Sequence, residues 1–478
     1  MLRYNAAQVS AMMKVCVLRI ERFDLAIIAT LAVLLSGIVA TVAAGDRAGI
    51  GITDYAPRDL ANTRTSLHIT FNEPMDTTSA EAALMIDPAT PGKITWTGNQ
   101  LIFTPNVAWL PENSYTITVK AGAQSQAGRS LLSDLRWSFG VDAPKVVYLA
   151  PASQENNRVP DLWLVPPGAP DQARQITHEP LGVVNFAPSP DGSSIAYAAN
   201  MRGGTTDLFL LIVATGETRR LTQCIEAICQ APDWNPDGVR IAYERIELNK
   251  NLPSVDAGAA RTWIVNVRDL STAPLFSESQ LLGTLPHWSP DGSKIVMYDR
   301  NLGATVIFDV TTGERQQLDN YGGDTGEYRF DPSGTWLAYP RLIGIGQLFT
   351  TEMWMADFRD KSTHSLSGPD GTPVEDYTPA WNPADGKLAV SRRYLDGSGP
   401  TTRQVYIIDP NTDGATPLFV EDGFHHTAIH WSPTGDQLVM MRRPADNSDV
   451  APDIWVYDQR TDKLTELVKD AYLPQWIP

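Results

Sequence analysis

Five polar residues recur at one place in this sequence. Asp233, His287, Arg329, His430 and Gln475 each stand immediately before an aromatic residue. Ala187 and Ala380 hold the equivalent place in two further copies, and neighbouring copies are roughly 42 to 54 residues apart. A carboxylate beside imidazoles suits proton transfer or metal ligation, and a guanidinium suits an anion. Successive residues of a strand face opposite ways. If the aromatics pack between sheets, the residues before them line one shared surface. That surface could hold a metal, an anion or a small polar ligand, and an enzyme working there would use His287, His430 and Asp233. A water-filled channel with solvated polar walls explains the same composition.

A second set is basic. Arg245, Arg341, Arg392 and Arg442 stand in equivalent register, with Arg300, Arg393 and Arg443 one place further on. The strand pattern brings them to one rim, with Asp324, Glu327, Glu375, Asp376, Asp422, His425 and His426 in the adjoining loops. Two readings stay open: a mixed-charge face for a peptide, carboxylate or glycan, and arginine–carboxylate pairs that brace neighbouring repeats.

Other motifs carry less. Asp409, Asn411 and Asp413, followed by Gly414, have the alternating oxygens and the glycine of a calcium loop. The twelfth position is Val420, with Glu421 one place late, and a hairpin turn accounts for the same residues. No metal or other cofactor is therefore expected. Of three cysteines, Cys224 and Cys229 lie in one loop and are expected to form a disulfide in an oxidising compartment, while Cys16 stands alone. No Gly-x-Ser-x-Gly elbow, His-Glu-x-x-His helix or glycine-rich phosphate loop occurs. No catalytic residue is assigned, and the chain is expected not to be an enzyme.

The elements that must position these residues are strands. A phrase of aromatic, Ser, Asn or Asp, Pro, one or two residues and Gly recurs, as in Trp234-Asn235-Pro236-Asp237-Gly238 and Trp288-Ser289-Pro290-Asp291-Gly292. Further copies run through Ser189, Phe330, Trp381 and Trp431, and a truncated one, Trp476-Ile477-Pro478, stands last. Pro presets one turn dihedral and Gly accepts the positive one, so each phrase joins two antiparallel strands. An apolar strand follows each phrase, such as Ile195-Ala196-Tyr197 or Leu438-Val439-Met440, then a third and a short fourth. Four short strands per repeat make a propeller blade. Three strands before the first phrase lack an innermost partner, and residues 472–476 have its sequence. The expectation is an all-β chain whose seven-bladed propeller over 145–478 is closed by the C-terminal strand; six blades is the alternative.

These phrases resemble the TolB-like, or WD-type, propeller repeats of bacterial envelope proteins, which implies a fold but serves many functions. Phe71-Asn72-Glu73-Pro74-Met75-Asp76 and Leu110-Pro111-Glu112-Asn113-Ser114-Tyr115 resemble the SbsA-type Ig-like domain of bacterial surface proteins, which implies a β-sandwich over 52–141. Residues 25–44 form an uncharged apolar run long enough for a bilayer, preceded by Lys14, Arg19 and Arg22 in a 1–24 cytoplasmic segment. A cleaved signal peptide with Val42-Ala43-Ala44 at its end is the alternative. The formal net charge of −17 argues against nucleic acid. Together these imply a single-pass membrane protein with extracytoplasmic domains, serving as a binding scaffold for a protein, peptide or glycan. The alternatives are a hydrolase or lyase at the channel mouth, and an accessory subunit of an envelope peptidase or polysaccharide-processing complex.

Overall fold

Each phrase forms the turn that its Pro and Gly dictate. In the computed structural model Gly192 donates to the Ser189 carbonyl (2.9 Å), Gly292 to Ser289 (2.9 Å) and Gly435 to Ser432 (2.9 Å). The structure describes residues 22–45, 49–153, 158–248, 258–278, 281–318, 327–345, 348–369, 371–412 and 414–478. The glycine is needed twice over at Gly435. Its φ is +77°, and a Cβ there would meet Asn382 Oδ1 at 2.2 Å. That asparagine belongs to the preceding phrase and donates to the Gly435 carbonyl (3.0 Å), as Asn235 does to Gly292 (3.3 Å). Consecutive phrases are thereby stitched together at one end of the propeller.

The strand before each phrase is the inner strand. These are Val183–Pro188, Ala227–Trp234, Thr284–Trp288, Arg329–Phe330, Val374–Trp381, Phe424–Trp431 and Tyr472–Ile477. Each pairs antiparallel with the strand after its phrase, and third and fourth strands follow outward. Tyr472–Ile477 instead pairs with Lys145–Ala150, which continues to Asp161–Val165 and Arg174–Gln175. The last strand therefore completes the sheet begun by the first strands of this region. A single parallel bridge between Thr206 and Ile228 joins the first two sheets.

A feature invisible to the alternation rule breaks the inner strands. Ala231, Leu285, Thr378, Ala428 and Leu473, each three residues before the aromatic, have φ between +48° and +51°. The ladder slips at each of these places. A side chain at positive φ costs on the order of 1–2 kcal/mol, so each bulge needs support. The freed N–H groups find it in the preceding sheet: Ala231 donates to Asn185 Oδ1 (2.9 Å), Leu285 to Glu244 Oε1 (2.5 Å) and Thr378 to Glu327 Oε2 (2.7 Å).

Past the bulge the aromatic packs outward between sheets. Trp234 joins Ala196, Leu208 and Leu210 of the preceding sheet, and Trp476 joins Val439 and Ile454. Opposite the residue before each aromatic stands a small buried one: Ala196, Ala242, Val296, Ala338, Ala389, Val439 or Val147. Three indoles also donate to the carbonyl of the residue that holds the corresponding place in the preceding repeat. Trp234 reaches Ala187 (3.0 Å), Trp381 reaches Arg329 (2.9 Å) and Trp476 reaches His430 (2.9 Å). Gln475 closes the circuit from the last inner strand to the first by donating to the Phe186 carbonyl (3.2 Å).

By contacts the chain divides into two units. The first comprises Met1–Asp54, Thr70–Met85 and Thr118–Arg136. It holds a short helix at Thr77–Ala83 that the strand reading did not anticipate. Its signal lies in Asp76, whose carboxylate accepts from Ser79 N at 3.0 Å as an N-cap. Glu73 pairs with Arg129 in the same unit. The second unit comprises Tyr55–Ile69, Ile86–Ile117 and Trp137–Pro478. There Trp109 is fully buried, packs edge-on to Tyr115 at 4.7 Å and Phe139 at 5.5 Å, and donates to the Thr65 carbonyl at 2.8 Å. The strands between 52 and 141 form two four-stranded sheets.

The apolar run is a helix, Arg22–Gly45, with side chains described for 25–40. Leu25, Leu31, Val33, Leu35 and Val39 are all more than half exposed. Among the described residues no helix is long and apolar enough to cross a membrane. The span expected over 25–44 is thus shown as a helix and no more.

Trp476 ties the last strand to its neighbours by packing and by its indole N–H. Trp476→Ala should cost about 3–5 kcal/mol in urea unfolding of the full chain, and an unchanged midpoint would contradict this role.

Candidate functional site

The polar residues before the aromatics do converge, and three of them are bonded in a row. Asp233 accepts from Trp288 N through one oxygen (2.7 Å), and its other oxygen meets His287 Nδ1 (3.0 Å). His287 Nε2 faces Arg329 Nη1 at 3.0 Å. A guanidinium only donates, so Nε2 must accept and Nδ1 must carry the proton given to Asp233. His287 is therefore held as one neutral tautomer with both nitrogens engaged, and it has no lone pair left for a substrate proton.

Arg329 is half-buried in the channel wall. Its Nη1 also donates to the Tyr328 carbonyl at 2.8 Å. Its Nε and Nη2 have no hydrogen-bond partner among the described residues. Burial pushes its pKa down, opposed by the charges of Asp233 and Glu327. Burial pushes the Glu327 carboxyl up, although its bond from Thr378 N favours the charged form. His430 has no side-chain hydrogen bond among the described residues. Burial first, and then the charge of Arg329, lower its pKa to about 3, so its ring is neutral.

Two cavities open beside these groups. One of about 220 Å³ is lined by Arg329, Phe330, Ala380, Trp381, His430 and Trp431 among others. A second, of about 430 Å³, shares Trp381, His430 and Trp431 with it and adds Arg64, Gln475 and the phrase prolines Pro190, Pro383, Pro433 and Pro478. Arg64 was not a residue the sequence singled out. It belongs to the same unit as the propeller, and its Nη2 donates to the Pro433 carbonyl at 3.3 Å.

The rim arginines are differently placed. Arg392 is buried and grips Asp376 with two bonds of 2.8 and 2.7 Å, while Ser367 of the preceding sheet donates to the same carboxylate (2.5 Å). Arg442 pairs with Glu421 and lies over the rings of Phe424 and Trp455. His426, fully buried, bonds Glu421 at 3.1 Å, and burial lowers its pKa to about 4. Arg245 pairs with Glu247 (2.6 Å) over Trp263, and Arg341 stacks on Trp354 at 4.2 Å. Arg393 and Arg403 share Glu375. Arg403 N donates to His425 Nδ1 at 2.9 Å. Arg300 and Asp422 are exposed, and Arg443 is half-buried. Asp324 lies outside the described residues. The geometry thus makes Arg392 and Arg442 members of internal pairs, which leaves little of either for a ligand.

Cys224 and Cys229 are joined by a disulfide with Cα atoms 6.3 Å apart. Their loop is further pinned by Asp207, which accepts from Cys224 N (2.7 Å) and pairs with Arg220. Asp409 accepts from the backbone and side chain of Asn411 (3.0 and 3.2 Å), the local bonds of a turn. Asp413 lies outside the described residues.

Comparison with known proteins agrees with the two folds. Residues 46–141 match a family described as a bacterial Ig-like domain (Big_5). A protein of Bacillus subtilis (strain 168) named "Uncharacterized peptidase YuxL" is 24% identical over 151 residues, or 32% of this chain and 20% of that protein. The match spans about a fifth of the length of that relative. A puromycin hydrolase mutant complexed with PGG has a similar structure at TM-score 0.51 and 16% identity, over 68% of this chain and 52% of that one. TolB from Acinetobacter baumannii is similar at TM-score 0.41 and 13% identity, over 90% and 99%.

One expectation is corrected by these findings. The chain was expected not to be an enzyme, but its curated relative is named a peptidase and the hydrolase shares its fold. The expectation rested on missing local motifs. Asp233, His287 and Arg329 meet only through the ring and leave no local motif, so that absence decides nothing.

Two outcomes follow from the buried groups. Arg392→Gln strands the Asp376 carboxylate and should cost about 3–5 kcal/mol, while Arg392→Met with Asp376→Leu should cost less, as read from urea unfolding. His430 has a folded pKa of about 3 against an ordinary 6.5, so the unfolded chain binds the extra proton. Stability should therefore fall as pH drops from 6.5 towards 3, and His430→Gln should flatten that part of the profile.

Proposed function

We propose that this chain is a membrane-tethered, extracytoplasmic binding protein of the bacterial envelope, whose TolB-like propeller takes a ligand in its channel. The observation that carries the reading is a contrast in engagement. The rim arginines Arg392 and Arg442 hold carboxylates of their own chain, whereas Arg329 has no partner for Nε and Nη2 among the described residues and lines a cavity with the neutral His430. Seven four-stranded blades, closed by Tyr472–Ile477 against Lys145–Ala150, are the architecture that the sheet order and the circuit of inner strands support. The exposed apolar side chains of the Arg22–Gly45 helix support an anchor, and the Cys224–Cys229 disulfide supports an oxidising compartment. The Ig-like domain fits a spacer.

Catalysis at the same place is the second reading, favoured by the peptidase-named relative. His430 is the imidazole with nitrogens to offer there.

The full chain, purified from bacterial membranes after an alkaline wash, should release a bound compound on denaturation, detected by mass spectrometry. His430→Ala should lose that compound and Arg341→Glu should keep it. Loss only with Arg341→Glu would move the site to the rim, and release of the chain by the wash would contradict the anchor.

A further inference from the structure

The two adjoining cavities contain two guanidinium groups. Arg64 and Arg329 are the cations, and neither lining includes an Asp or Glu. Among the described residues Arg64 has carbonyl partners alone, Asn106 at 3.5 Å and Pro433 at 3.3 Å. Among the same residues Arg329 has the Tyr328 carbonyl and the His287 ring. Among the described residues neither forms an ion pair within 4.0 Å. Asp233 is held by His287 and Trp288, and Glu327 by Thr378. Burial lowers the pKa of both arginines, at Arg329 against the opposing charges of Asp233 and Glu327. An anion that reaches the N–H groups left open on them adds charge-assisted hydrogen bonds.

The walls set further terms. Trp381, Trp431 and Trp476 give the cavities apolar faces, while Gln475 and the neutral His430 ring offer hydrogen bonds. Cavities of this size suit a small organic molecule. A chain of net charge −17 repels anions at long range, so this local cationic pair is a specific feature.

We propose that the phrase-side mouth of the channel binds a free organic diacid, one carboxylate on Arg329, the other on Arg64, and the carbon chain against the tryptophans. This rests on the channel reading and adds the charge and number of the ligand's groups. The same two-carboxylate chemistry could be presented by acidic side chains of a peptide, and the test separates the two sources.

The full chain in detergent micelles is titrated calorimetrically with the straight-chain diacids from succinate to suberate, with butyrate, with the matching diamides and with hexaglutamate. One diacid length should bind at least about tenfold more tightly than butyrate, and the diamides should not bind. Arg64→Gln should reduce that diacid to the level of butyrate. Arg329→Gln should weaken both, and Arg329→Lys should restore most of the loss, with melting curves confirming the fold of each variant. Diamides that bind as well as diacids, an Arg64→Gln variant with unchanged affinity, or binding of hexaglutamate alone would each overturn the proposal. Diacids that fail to bind, while His430→Ala still loses a compound carried from the membrane, would overturn the diacid and leave the channel reading standing.

Discussion

The inner strands depend on a backbone that is bent the unfavourable way. A residue at positive φ sits three places before the aromatic in five of them, and it reverses the alternation that a plain strand would follow. Without that slip the tryptophan and the residue before it would exchange faces, since a shift of one position turns every side chain over. The strain is local, and its support is not. Asn185, Glu244 and Glu327 hold bulges of the sheet that follows their own. At these three places the geometry of a channel strand is thereby tied to the sheet before it.

Charge is distributed unevenly over this frame. At the rim, hydrogen-bonded pairs such as Arg392 with Asp376 balance buried charge at once and brace the sheets. In the channel the same balance is incomplete. Asp233 is consumed in fixing the tautomer of His287, which in turn occupies one corner of Arg329. The rest of that guanidinium faces space rather than a carboxylate. Arg392 and Arg442 are thus matched by carboxylates of the chain, whereas Nε and Nη2 of Arg329 have no hydrogen-bond partner among the described residues.

The sequence made part of this legible. The period of the phrase, its Pro and Gly, and the partnerless last strand at Tyr472 followed from elementary turn and strand rules. The residues before the aromatics could be named because the phrase marks them, but their meeting could not. Asp233, His287 and Arg329 are brought together by the curvature of the ring, which no spacing encodes. The bulge had a visible trace, the proline two places before the tryptophan in Pro232, Pro286, Pro379 and Pro474, whose meaning needs coordinates. Arg64 had none, since it lies far upstream in a segment read as a sandwich. The rim arginines were legible as a row and ambiguous in purpose until Asp376 and Glu421 were seen against them. The missing catalytic motifs misled, because a site assembled from several strands leaves no local motif to find.

The claim on which the rest turns is that Nε and Nη2 of the Arg329 guanidinium, without partners among the described residues, are open to an anion. Anomalous diffraction from crystals of the full chain soaked in bromide reads this directly. The expected result is a bromide peak within ~3.5 Å of the Arg329 guanidinium and beside His430. Bromide found only at the rim, with the space beside Arg329 empty, would contradict it.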